Sequence, residues 1–273
     1  MDEALAKEDQ GRVTSRPMSK KPPSLEDHRV RVGAERREKT RMRLLQSALG
    51  VFSEKGPDAA VIDDVIVAAG VSRGTFYNHF KTTHELLLAL ATSMSDEVLA
   101  VVDPVVLTFS DPVQRFSAGT RLYMQMALRY PTWGRFITSV GTRIATRGQL
   151  IDEYLTRDLT IAVGSKRVMV TDVLVARDIV LGSIFYGIET MLTEPTHAHH
   201  AEQLVATFLR GMGVAPKEAD TIAFMPLPEV GAVQGPIFST VSPQRKPGIG
   251  RSASMRTSPA AVPAKRKAAT RST

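Results

Sequence analysis

Apolar side chains recur through the middle of the chain with the three-then-four spacing of helices that bury one face. Leu45, Ala48, Leu49 and Phe52 fall at i, i+3, i+4 and i+7, which sets a first helix against a core before Gly56-Pro57 ends it. Ile62, Val65, Ile66 and Ala69 form the apolar side of a short second helix, closed by Gly70, which accepts the left-handed conformation. A third runs over 72–78, with the Ser72 hydroxyl placed to cap its first free amides. A fourth extends from about Thr83 through Leu86, Leu87, Leu90 and Met94 to near Asp103. Beyond Pro104 the helices lengthen, over about 112–129, 132–146, 148–163, 171–193 and 196–213, with Pro112, Pro131 and Pro195 near boundaries. The 171–193 stretch is apolar on nearly every side, from Val173 and Val175 through Ile179, Val180 and Ile184 to Met191 and Leu192. Such a helix must be covered on two sides, by its own core and by something else. No strand pattern and no internal repeat emerges, so the fold class is all-α.

The ends differ from this middle. Residues 1–33 mix charges of both signs around Lys20-Lys21-Pro22-Pro23 without hydrophobic period, which reads as a disordered arm. From 226 onward Pro226, Pro228, Pro236, Pro243, Pro247, Pro259 and Pro263 break any helix, which reads as a disordered tail over 226–273. That tail is basic: Arg245, Lys246, Arg251, Arg256, Lys265, Arg266, Lys267 and Arg271 face one acid, Glu229. It is either a solvated extension or an arm that adds salt-sensitive phosphate affinity.

Composition narrows the function. The net charge of +7 in 273 residues suggests an anionic partner, nucleic acid or a membrane surface. The absence of cysteine excludes disulfides, thiol catalysis and cysteine zinc sites, and fits a reducing compartment. The first thirty residues hold no apolar run of a signal peptide, and the longest apolar stretch, Ile179 to Ile188, is half of the roughly 20 residues a spanning helix needs. The expectation is a soluble cytoplasmic protein, nucleoid-associated when bound to DNA, with no membrane partner. No phosphate-cradling glycine loop or nucleophile elbow occurs. His197, His199 and His200 come closest to a metal set, but a solvated cluster at a helix start is the commoner outcome. No enzyme, cofactor or metal is implied.

The window from Ala59 to Phe80 carries the function. A short helix, a tight turn at Gly70-Val71 and a second short helix make helix-turn-helix geometry. Val65, Ala69, Val71, Phe76 and Phe80 are spaced to form its small core. Ser72, Arg73, Gly74, Thr75, Tyr77, Asn78 and His79 are left on or near the other face, as side chains that reach phosphates and base edges. Gly74 lets the helix sit close to a duplex, and Lys81 lies where the fourth helix can offer it and its backbone amides to a phosphate.

The run Gly70-Val71-Ser72-Arg73-Gly74-Thr75-Phe76-Tyr77-Asn78-His79-Phe80-Lys81 resembles the recognition segment of the TetR family of repressors. Leu44-Leu45-Gln46-Ser47-Ala48 and Val51-Phe52-Ser53-Glu54-Lys55-Gly56 resemble that family's first helix at the same spacing, so the likeness covers about 37–97. It implies an N-terminal three-helix DNA-binding domain over 34–97 and a C-terminal helical domain over 98–225 for effector binding and dimerisation. Arg73, Thr75 and Asn78 would approach bases, Tyr77, His79 and Lys81 would hold phosphates, and Thr40 would touch the backbone. The family usually has Thr or Ser near 60–61, where Ala60 and Val61 stand, and Asp63-Asp64 follows. Asp63 either caps the second helix or faces DNA unfavourably, which implies altered base preference or fewer backbone contacts. Arg29, Arg31, Arg36 and Arg37 before the first helix offer a compensating arm into a neighbouring minor groove.

By the same resemblance, 171–193 and 196–213 would pair with their copies in a homodimer, where Gly182, Ser183 and Gly187 permit close approach. The partner would then be a near-palindromic double-stranded DNA operator. An unidentified small-molecule effector would sit among the helices of 112–163 and the inner face of 171–193. Tyr123, Met126, Tyr130, Trp133, Phe136 and Phe185 are candidate walls or simple core, and Arg121, Arg143 and Arg147 candidate anion partners or salt bridges. An effector that prefers a dimer with misaligned reading heads would release the operator. The rival is an architectural DNA protein with little sequence preference.

Overall fold

In the computed structural model, which describes residues 25–56, 62–141 and 149–241, the apolar stripes meet in ten helices, with no strand among the described residues. α1 (Leu25–Lys55), α2 (Ile62–Ala69) and α3 (Arg73–Tyr77) form the N-terminal unit. Its core is Leu44, Leu45, Ala48, Leu49 and Phe52 of α1 against Val65, Ala69, Phe76 and Phe80. The turn between α2 and α3 is fixed locally. Gly70 stands at φ +59°, its N–H donates to the Val67 carbonyl at 3.1 Å, and that of Val71 to Ile66 at 3.2 Å. This pair of reversed bonds closes a helix through a left-handed residue.

The first helix is longer than its apolar stripe. The arm expected over 1–33 is helical from Leu25, while residues 1–24 lie outside the described ones. That extension is mostly exposed and carries ion pairs at helical spacing, Arg31 with Glu35 and Arg41 with Glu38. Such pairs support a polar helix without leaving any hydrophobic period to read.

α4 (Thr83–Val106) leads from this unit into the larger one, made of α5 (Pro112–Arg129), α6 (Pro131–Val140), α7 (Leu150–Gly164), α8 (Val173–Thr193), α9 (His200–Gly211) and α10 (Pro216–Ala223). α4 runs past Pro104, where an end was expected, because Val102 and Val106 on its last turns are buried. Packing outweighs the one backbone bond that a proline removes. α5 is central, with Val113, Phe116, Leu122, Met124 and Ala127 buried. α10 is absent from the periodicity reading; it is short, with Pro216 at its start and Ala219, Ile222 and Ala223 buried.

The segment after α10 is the largest correction. Residues 226–241 are packed onto the body, with Val233, Ile237 and Phe238 buried. The Phe238 ring meets Tyr130 at 5.1 Å and Trp133 at 5.9 Å, both edge-to-face. The Glu97 carboxylate on α4 accepts the amides of Ile237 and Phe238 at 3.0 and 2.9 Å. Arg129 donates to the carbonyls of Val230 and Gly231, and Gln46 on α1 donates to that of Pro236 at 2.8 Å. The prolines leave no α-helix here, only a short 3-10 turn at Phe238–Thr240, and the strap satisfies much of its backbone through side chains of α1, α4 and α5. The basic cluster from Arg245 to Arg271 lies outside the described residues.

Candidate DNA-reading surface and ligand cavity

α3 is only five residues long, so its position depends on what anchors it. Phe76 is fully buried, and Phe80 just beyond is 3% exposed, which plants one side of α3 in the N-terminal core. Ser72 caps it, its hydroxyl accepting the Thr75 amide at 3.1 Å. The opposite side is then left outward: Ser72, Arg73, Gly74, Tyr77 and Asn78 are exposed, with Thr75 and His79 at its edges. A Cβ at Gly74 would meet nothing closer than the Ser72 hydroxyl at 3.9 Å, so this face is open to close approach.

Each site residue has its own setting. Thr75 Oγ1 lies 2.8 Å from Ser72 Oγ, so the two hydroxyls share a hydrogen bond. Tyr77, 46% exposed, rests edge-on against Phe76. The Asn78 carbonyl accepts from Arg37 of α1 at 3.5 Å. His79 is held below its usual pKa, chiefly by burial and then by the nearby Arg37 and Arg41. It is therefore a neutral ring at neutral pH, able both to donate and to accept. Thr40 is turned back along α1, its hydroxyl donating to the Arg36 carbonyl at 3.0 Å. The Lys81 ammonium is exposed, but its amide is already taken by Glu85 at 2.7 Å, while Thr82 caps α4 by accepting the Glu85 amide. The expected backbone-amide site at Lys81 is thus occupied by the helix's own acid.

The charged residues around the reading helix have settings of their own. Arg29, Arg31, Arg36 and Arg37 lie on α1 and are no extended arm. Asp63 stands in the first turn of α2, where its carboxylate accepts from the Arg73 guanidinium, while Asp64 pairs with Lys55 at 2.7 Å.

In the larger unit a narrow cavity of about 50 Å³ lies between α4, α5 and α7, with Ile184 of α8 closing it. Its walls are apolar, including Leu99, Val102, Phe116 and Leu155, and one end is charged. There Arg157 bonds Asp103 and Asp158, each at 2.9 Å, and Arg115 lies 3.7 Å from Asp158. Two acids and two guanidiniums balance. The hydrogen bonds that Arg157 donates to Asp158 and Asp103 hold its guanidinium charged. Tyr123 faces the cavity, and burial pushes its phenol pKa up, so it stays protonated. Thr120 is 2% exposed and its hydroxyl finds no hydrogen-bond partner among the described residues.

Of the aromatic walls expected, only Tyr123 lines this cavity. Trp133 and Tyr130 hold Phe238, and Phe136 stacks on Phe52 at 5.8 Å. Arg121 is buried, donating to Glu202 and to the Met225 carbonyl, so it is neither an anion partner nor a surface salt bridge. Arg143 and Arg147 lie outside the described residues. The charged end was missed, although Ile151, Leu155, Asp158 and Ala162 fall on one helical stripe in which the acid is the signal. Among the described residues no group of His, Asp and Glu is placed to hold a metal, and no helix is long and apolar enough to cross a membrane.

A capped, phenylalanine-anchored helix that presents a polar row defines a helix-turn-helix DNA-binding regulator. Residues 44–90 match the family of bacterial regulatory proteins named tetR, and residues 111–224 match the tetracyclin repressor-like C-terminal domain. The chain is 52% identical over 59 residues to the regulator CymR of Pseudomonas putida, covering 22% of this chain and 29% of CymR. It is 33% identical over 87 residues to the transcriptional activator FasR of Mycolicibacterium smegmatis, covering 32% of this chain and 40% of FasR. These matches span less than half of the curated relatives' length. The crystal structure of RolR with the ligand resorcinol is similar over 72% of this chain and all of that one, at 30% identity and a TM-score of 0.62. The chain belongs to the TetR family of transcriptional regulators.

Proposed function

We propose that this regulator is a repressor that binds a near-palindromic operator as a homodimer and leaves it when a small neutral hydroxylated aromatic enters the α4–α5–α7 cavity. The observation that carries the reading is α3 itself, rooted by Phe76 and Phe80 with Arg73, Tyr77 and Asn78 outward. Arg73, Thr75 and Asn78 approach base edges, while Tyr77, His79, Lys81 and Thr40 serve phosphates. Two-fold pairing supports the palindrome, since it presents two reading helices about 34 Å apart. The pairing face is α8, where Val175, Ile179 and Tyr186 are 51%, 43% and 78% exposed at i, i+4 and i+11. Gly182 on that face is open, whereas Gly187 is used within the subunit, where a Cβ would meet Leu204 and Met124 below 3 Å. The regulator acts in the cytoplasm, at the nucleoid.

Resorcinol in RolR supports a ligand of that kind, and so does the chemistry of the cavity. The balanced Asp103, Asp158, Arg115 and Arg157 end suits hydroxyls over a net charge, and Thr120 offers a free hydroxyl. A dry site that holds a benzene ring measures about 150 Å³. The cavity here is about 50 Å³, so a ring enters only if α4, α5 and α7 part. α4 is also the helix that carries the reading unit, which supplies the differential affinity that release requires. The test is calorimetric titration of the full chain with resorcinol, followed by release of operator DNA selected from a random library. Binding that Thr120→Val and Asp158→Asn weaken, with release, supports the reading; release unaffected by either substitution refutes the cavity.

A further inference from the structure

The two acids that open α2 go different ways. Asp64 pairs with Lys55 at the end of α1, within the fold. Asp63 is 63% exposed and stands on the outer side, where its Oδ1 accepts from Nη2 of Arg73, the first residue of α3. A bare carboxylate beside a polyanion is repelled, but this one is held against a guanidinium on the reading helix itself. The Arg73 side chain is 61% exposed, and only its Nη2 is engaged by Asp63, which leaves donors of the guanidinium for a further partner.

We infer that Asp63 is a positioning residue for base selectivity: it fixes Arg73 so that α3 reads a guanine at one position in each half-site. A guanidinium has five donors in a planar fork, of which reading O6 and N7 of guanine needs two, so Asp63 and a base are served together. Without Asp63 the flexible Arg73 side chain reaches phosphates equally well, and such contacts carry no sequence information. The carboxylate also lowers affinity for any duplex on which Arg73 is not engaged. Asp63 therefore trades general affinity for discrimination. The inference rests on α3 being the reading helix.

The full chain is used with the duplex it selects from a randomised library, with that duplex altered at each G·C pair in turn, and with an unrelated duplex. Asp63→Asn keeps the melting temperature, binds the unrelated duplex more tightly, and loses discrimination at one symmetric pair by roughly 5- to 150-fold, the range of one bidentate contact. Arg73→Ala loses discrimination at that same pair, and the double variant loses no more. The opposite signs of the two Asp63→Asn effects are beyond a merely structural role. If Arg73→Ala relaxes one pair and Asp63→Asn leaves every preference intact, Asp63 has no such role. If Arg73→Ala relaxes none, α3 does not read through Arg73 and the inference falls with that assignment.

Discussion

Replacing Phe238 by alanine tests whether the proline-rich strap is part of the folded core. Phe238 is 3% exposed, and its ring lies edge-to-face on Tyr130 and Trp133, at interplanar angles of 87° and 64°. Burial of this kind loses about 3–5 kcal/mol on truncation to alanine. Each aromatic pair contributes about 0.5–1.5 kcal/mol beyond its area, already contained within that range. The loss is bounded above by the free energy that docks the strap, because a strap without its anchor can undock and leave the helices folded. Other tethers, among them the Glu97 bonds to two amides, the Gln46 bond to Pro236 and the Arg129 bonds to Val230 and Gly231, keep it in place at first. The expectation is thus a loss of about 3 kcal/mol, the low end of the truncation range. Trp133 is the only tryptophan and touches Phe238, so its fluorescence reports strap docking directly. Urea titrations at one protein concentration, followed by fluorescence and far-ultraviolet circular dichroism, give the number. A loss below about 1 kcal/mol, small beside any buried phenylalanine, with unchanged Trp133 emission, would refute the packing argument.

Two further outcomes follow from burial and exposure. Burial, and then the nearby Glu153, raise the Asp96 carboxyl from 3.8 to about 6, so the folded state binds this proton more tightly than the unfolded chain. Its favourable contribution is full below 3.8 and is lost as pH rises through about 6, so Asp96→Asn stabilises at neutral pH. That gain shrinks on acidification toward 4 in urea titrations, and an equal gain across that interval contradicts the assigned cause. Tyr186→Glu places a charge on a residue 78% exposed within the α8 stripe; in the proposed homodimer, helicity persists while pairing weakens at least tenfold, a loss of about 1.4 kcal/mol. Sedimentation velocity measures it, and an unchanged dimer moves the interface elsewhere.

The reading unit was legible because its determinants are local. The Ser72 cap, the Gly70 reversal and the buried Phe76 and Phe80 all act within a turn or two of the chain, where spacing alone sets direction. α8 was legible too as a helix apolar beyond one face, and Leu174, Val175, Ile179 and Tyr186 stand exposed on it. α1 before residue 34 escaped because its support is ionic and leaves no apolar period. Arg73 and Asp63, ten residues apart, meet only once α2 and α3 cross. The charged cavity end joins Asp103 to Arg157 across 54 positions, and Glu97 holds the strap across 140. Sequence by itself determined most of the helices, the Ser72 cap and the polar row of α3, since backbone hydrogen bonds and side-chain periods reach no further than about four residues. Tertiary structure alone decided the strap, the buried ion network and the partner of Asp63, because each satisfies a polar or apolar group with one that only chain folding brings near.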